Sequence, residues 1–290
     1  MITRKLTGAK PAITLPPGAV DCQTHMYLPG FPALPGGPPN PKGDLPTPAQ
    51  YRQVMDWLGI DRVVITQGNA QQGDNSNLLA CLAEMGDIAR GVAAITGHTS
   101  DAEMTALSDA GVVGARIMDL PGGAVGLDAL EAVGARAGAF GWLMAVQFDG
   151  SAIARHADRL AAIGTNWILD HHGKFFAGAT PHSPEVDIVK RLIDRGNCWF
   201  KFAGCYESTR TGGPDFEDIA AVAREIASYA PDRIVWGTNW PHNLAQTTGD
   251  YPDDGALLDT VLSWLPTDQV RAQALVKTPQ ALFGFPAWTA

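Results

Sequence analysis

Eight short apolar, β-rich runs, each followed by a longer amphipathic segment, limit what this chain can become more than any other feature. The runs fall at 19–23, 62–67, 91–95, 113–118, 142–148, 166–170, 198–203 and 234–237. The helical patterns lie near 48–58, 75–87, 101–110, 127–139, 151–163, 184–195, 215–229 and 254–264. Thr47-Pro48 and Ser183-Pro184 mark helix starts, because a hydroxyl can cap free N–H groups and proline suits the first helical position. Runs such as Val63-Val64-Ile65 are continuously apolar, as expected of strands covered on both faces. Eight strand–helix repeats predict an α/β fold, a closed (β/α)8 barrel forming one domain over residues 1–290. A doubly wound sheet is the alternative. No Gly-x-Gly-x-x-Gly turn follows an early strand, which argues against its dinucleotide-binding form.

Charge narrows the partners. With 30 acidic against 21 basic residues the net charge is -9, which opposes general binding to nucleic acid or to an anionic membrane. No apolar run is long enough to span a bilayer, and the basic N-terminus lacks the apolar stretch of a signal peptide. Cys22, Cys81, Cys198 and Cys205 form no Cys-x-x-Cys pair, so a redox or zinc motif is not expected. A cytoplasmic protein that binds a small molecule is the expectation.

In such barrels chemistry gathers at the C-terminal strand ends. In chain order the polar side chains there are Asp21, Gln23 and His25, then Thr66, Gln67 and Asn69, then Thr96 and His98. Arg116 and Asp119 follow, with Gln147 and Asp149, then Asp170, His171, His172 and Lys174. Lys201, Tyr206, Glu207 and Arg210 end the seventh run, and Asn239 and His242 the eighth. Alternation puts Asp21, Gln23 and His25 on one face, with His25 toward a ligand and Asp21 as a cap or orienting group. Of the adjacent histidines 171 and 172, only one can point inward. Arg116 ends a buried strand and needs an anionic partner, either an internal carboxylate or one on the substrate. The Pro- and Gly-rich stretch at 28–46 is the first βα loop: a lid, a wall, or plain surface.

Three strings, Asp21-Cys22-Gln23-Thr24-His25, Asp170-His171-His172-Gly173-Lys174 and Gly237-Thr238-Asn239-Trp240-Pro241-His242, carry a resemblance in their joint order. The chain resembles the amidohydrolase superfamily, in particular its branch of 2-pyrone-4,6-dicarboxylate lactonases and sugar-lactone hydrolases. In that family strand one ends in His-x-His, strands five and six carry histidine ligands, and strand eight supplies an aspartate. Here those positions hold Gln23 and His25, Gln147, His171 and Asn239. The resemblance selects His171 over His172. Neutral amides are poor ligands where imidazole or carboxylate is needed, so no catalytic metal and no cofactor are expected. Asn239 also replaces the base that activates water in related lactonases, and an amide cannot take a proton near neutrality.

Hydrolysis should suffer most from that loss, and a reaction whose nucleophile is tethered should suffer least. The resemblance therefore implies ring isomerisation of a sugar-diacid lactone from the 1,5- to the 1,4-form, with the 4-hydroxyl attacking the lactone carbonyl. His25, His171 and Asn239 are the expected catalytic residues; both histidines would polarise the carbonyl or stabilise the oxyanion. Gln23, Arg116, Gln147, Lys174, Tyr206 and Arg210 would bind substrate, with Lys174 and Arg210 on its free carboxylate. Two alternatives remain: a lactone hydrolase with Asp149, Asp170 or Glu207 as base, or a non-catalytic binder of anionic sugars. On this reading Asn239→Asp should gain hydrolysis.

Overall fold

The computed structural model describes residues 2–289. Its eight strands are β1 (Val20–Thr24), β2 (Arg62–Thr66), β3 (Ala89–Ala93), β4 (Val112–Asp119), β5 (Leu143–Phe148), β6 (Trp167–Leu169), β7 (Cys198–Phe202) and β8 (Ile234–Trp236). They pair in sequence order, all parallel. The ring closes just past β8, where His25 N donates to Trp240 O at 2.9 Å and Asn239 N donates to Gln23 O at 2.9 Å. The helices are α1 (Pro48–Leu58), α2 (Ser76–Met85), α3 (Asp101–Asp109), α4 (Leu130–Ala139), α5 (Ile153–Ala161), α6 (Pro184–Asp194), α7 (Glu217–Tyr229) and α8 (Asp254–Leu262), followed by the short α9 (Asp268–Ala272) and α10 (Thr278–Leu282). This is the (β/α)8 barrel that the periodicity predicts.

Alternation along the strands sorts the core into two layers. Val63 and Ile65 join the large cluster under the helices, while Val64 joins Val20, Cys22, Val92, Ala145, Ile168 and Val235 in a second cluster. Phe283 and Phe285, from the C-terminal tail, belong to that second cluster, so the tail packs on its own barrel. Burial of such side chains stabilises the fold by about 1.5–3 kcal/mol each. β3 begins two residues before its predicted start: Ala89 and Arg90 pair with Val63 and Val64, and the Arg90 guanidinium lies 4.7 Å from the Phe285 ring. Thr47 caps α1 as expected, its hydroxyl accepting from Gln50 N at 3.3 Å. Ser183 does not cap α6; its hydroxyl accepts from Thr180 N at 2.8 Å, and Pro184 alone marks the start.

One irregularity matters for function. Asp21 pairs with Val63 but Thr24 with Ile65, so β1 carries one extra residue between them. Such a bulge re-aims the side chains beyond it. Gln23 and His25 therefore face the barrel interior, whereas Asp21 accepts from Tyr51 Oη of α1 at 2.6 Å and from the Thr238 amide at 3.0 Å. The expected common face for all three residues is corrected by this bulge.

Candidate active site

A cavity of about 340 Å³ opens at the C-terminal ends of the strands. Among its lining residues are His25, Arg116, Gln147, His171, Lys174, Glu207 and Asn239. The loops that carry them are conformationally tight. Of the seven described non-glycine residues with positive φ, five are His171, His172, Lys174, Asn239 and His242. Backbone of this kind costs about 1–3 kcal/mol per residue and gathers at working sites. Gly204, at φ +59°, leaves room for them: a Cβ there would stand 2.9 Å from Asn239 Nδ2 and 3.0 Å from His171 Cδ2.

His25 is fixed as a neutral acceptor. Its Nδ1–H donates to Thr66 O at 2.9 Å, and Gln23 Nε2 lies 3.3 Å from its other nitrogen. Burial, then nearby Arg116, hold the imidazole down at about 3. Nε2 carries no hydrogen and already accepts from the Gln23 amide, so His25 cannot donate to an oxyanion. The expected oxyanion role at residue 25 is corrected accordingly. His171 is also held neutral, well below the ordinary histidine range, first by burial and then by Lys174 and Lys201. Its Nε2 lies 3.1 Å from Asn239 Oδ1. His172 turns away, its ring stacked 4.9 Å from Phe202 in an aromatic cluster.

Arg116 donates to Gln67 O (2.8 Å), Asn69 Oδ1 (2.9 Å) and Gln147 Oε1 (3.1 Å), all neutral acceptors. No carboxylate among the described residues pairs with it, though it is buried and lines the cavity. Lys174 is not a free cation: it pairs with Glu207. The other Glu207 oxygen accepts from Asn239 Nδ2 at 2.8 Å. Of the three rival bases named from sequence, Glu207 alone lines the cavity. Asp149 accepts from Ser151 N at 2.9 Å in a turn, and Asp170 lies 2.6 Å from Lys201 Nζ.

Three expected substrate contacts lie elsewhere: Gln23 is fully buried between Lys201 and His25 and does not line the cavity. Arg210 is exposed and outside the cavity lining; its guanidinium donates to Ala177 O at 2.6 Å and its backbone N to Asp218 at 2.6 Å, which binds the sixth and seventh βα loops together. Tyr206 stands behind Asn239, accepting from Asn239 Nδ2 at 2.8 Å, and does not line the cavity. No residue of the 28–46 loop lines the cavity either; Leu34 N donates to Ala70 O at 2.7 Å, and Arg4 donates to Lys42 O at 2.8 Å.

The metal implied by the resemblance does not fit these residues. Gln23 Oε1, at the first ligand position, already accepts from the Lys201 ammonium at 2.8 Å, and that cation repels another. Gln147 gives its oxygen to Arg116, and Asn239 gives its own to His171. Among the described residues no group of three His, Cys, Asp or Glu side chains is placed to hold a metal ion.

The environment of Asn239 also revises the expected effect of an aspartate there. A carboxylate at 239 would face Glu207 across about the present 2.8 Å. Two carboxylates so close share a proton instead of both ionising. Asn239→Asp alone is expected to lose isomerase activity at neutral pH without gaining hydrolysis. The pair Asn239→Asp/Glu207→Gln restores a lone carboxylate and is expected to gain water-derived ring opening. Product ratios by NMR check both; a single variant with full activity would overturn the geometry.

Comparison with known proteins agrees with the fold. The amidohydrolase family pattern matches residues 20–285. The chain is 57% identical over 282 residues to D-galactarolactone isomerase of Agrobacterium fabrum, covering 97% of this chain and 96% of the relative. It is 31% identical to a 2-pyrone-4,6-dicarboxylate hydrolase of Comamonas testosteroni, covering 95% and 93%. An apo crystal structure from Agrobacterium tumefaciens superposes with a TM-score of 0.96 at 56% identity, over 98% of this chain and 99% of that one. A barrel of eight parallel strands, a cavity at their C-terminal ends and a family match over nearly the whole chain lead to one conclusion: this protein belongs to the amidohydrolase family.

Proposed function

We propose that the protein isomerises D-galactaro-1,5-lactone to D-galactaro-1,4-lactone by intramolecular acyl transfer, without a metal. The observation that carries this reading is the grouping of unpaired Arg116, the Lys174–Glu207 pair and Asn239 around one cavity. The 57% identity to a D-galactarolactone isomerase supports the substrate. Arg116 takes the free carboxylate of the lactone, with Gln147 beside it, since a guanidinium suits two-point carboxylate recognition. Glu207 accepts the proton of the 4-hydroxyl as O4 bonds to C1. Lys174 supplies positive charge to the oxyanion that develops on the carbonyl oxygen, while His171 gives its Nε2–H to Asn239 Oδ1 and holds that amide. The C1–O5 bond then breaks, and Glu207 returns its proton to O5, so the cycle is proton-neutral. Gln23, itself held by Lys201, donates to His25 and fixes that ring in the cavity wall.

Arg210 and Tyr206 act on this scheme only through the loops and through Asn239. Four free buried thiols and the absence, among the described residues, of a helix long and apolar enough to cross a membrane support a cytoplasmic setting. Time-resolved NMR of the 1,5-lactone with enzyme and chelator tests the reading. The 1,4-lactone is expected to accumulate ahead of the open diacid and faster than background. Direct appearance of the diacid would instead mean that Glu207 activates water and that the protein is a lactone hydrolase.

A further inference from the structure

Behind the cavity runs a chain of hydrogen bonds that the scheme above does not use. Asn239 Nδ2 lies 2.8 Å from Tyr206 Oη, which lies 2.6 Å from His242 Nδ1; His242 Nε2 lies 2.9 Å from Asp254 Oδ1. Its directions follow from counting protons. The Asp254 carboxylate can only accept, so His242 Nε2 carries the hydrogen. Tyr206 Oη receives an N–H from Asn239, so its own hydrogen points to His242 Nδ1. Tyr206 Oη is left as an acceptor toward residue 239. Glu207 Oε1, 2.8 Å from the same end of Asn239, is an acceptor too. Both therefore demand the amide nitrogen, and Asn239 can show His171 only its oxygen. His171 must carry its hydrogen on Nε2.

Helix capping does not explain Asp254. Asp253 caps α8, accepting from Ala256 N at 3.0 Å, while Asp254 turns inward and is buried with His242. Burying a carboxylate without a charged partner is costly, and here its one hydrogen-bonding return is the His242 contact. We infer that Asp254, His242 and Tyr206 are positioning residues that fix the amide of Asn239 and, through it, the tautomer of His171. The catalytic consequence rests on the function proposed above; the tautomer claim does not.

The test is Asp254→Asn in the full chain, read in two ways. An amide at 254 either donates or accepts, so His242 is no longer held to one tautomer. ¹⁵N NMR of the histidine rings is expected to show mixed tautomers at His242 and a shift at His171. On the lactone, kcat is expected to fall about tenfold to a hundredfold with KM little changed. Tyr206→Phe breaks the chain elsewhere and is expected to move the His171 signals likewise. The double variant should be no slower than the slower single one, as for residues acting in one unit. Wild-type ring signals at His171 in either folded variant, or rate losses that multiply in the double, would overturn the relay. If Asp254→Asn does not fold, Tyr206→Phe with its His171 spectrum decides alone. Failure of the wild type to turn over the lactone would sink the proposed function and leave the NMR arm standing.

Discussion

Replacing Glu207 by glutamine is expected to cut kcat by about 10²–10⁴ while the lactone still binds, the usual loss on removing a positioned base. Isosteric Gln keeps the cavity shape and can still contact Lys174 through its amide oxygen. It cannot carry the proton from O4 to O5. A second effect accompanies the first, because Lys174 loses its charged partner in a buried setting. Breaking one side of such a pair costs about 3–5 kcal/mol, seen as a lower urea midpoint. Lys174→Gln/Glu207→Gln separates the two effects: removing both charges is expected to recover much of the stability and none of the rate. Stopped-flow or NMR rates beside urea titrations make the comparison. A single variant of near wild-type kcat would remove Glu207 from the chemistry.

Arg116→Met is the second large effect. The guanidinium is buried beside the cavity, meets only neutral acceptors, and has burial lowering its pKa from the ordinary arginine value. Its charge is thus free for an anionic ligand. Loss of one partner of a desolvated charge pair costs about 2–5 kcal/mol, roughly 30- to 4,000-fold in kcat/KM. The effect should depend on substrate charge. Diacid lactone is expected to lose the full amount, and a lactone whose distal carboxylate is esterified much less. Arg116→Lys should fall between, keeping the charge and losing the planar fork. Equal losses on charged and neutral lactones would assign the carboxylate to another residue.

How far residues alone revealed this site depends on the kind of contact. The strands announce themselves through continuous apolar runs, and α1 and α6 through proline after a hydroxyl residue. The bulge in β1 left no such mark: Asp21 to Thr24 read as ordinary alternation, and one inserted residue changes which side chains reach the interior. Nothing local tells that Glu207 enters the site and Arg210 does not. Both follow β7 in a loop without periodicity, so their directions are set by distant partners, Lys174 for one and Ala177 for the other. Lys174 itself looked like a free cation because its partner is 33 positions away. Within Asp170-His171-His172-Gly173-Lys174 only the resemblance selects His171, and the aromatic cluster around His172 leaves His171 to face the cavity.

Asn239 and Gln23 join the first and last segments of the barrel through main-chain atoms, Asn239 N to Gln23 O. Their side chains take no part in that bond. The weld that shuts the cylinder is thus indifferent to what residues 23 and 239 carry, provided the backbone keeps its path. Identity at these two positions can drift between imidazole, carboxylate and amide without reopening the ring. A scaffold joined in this way lets new chemistry be tried at its centre while its closure stays untouched.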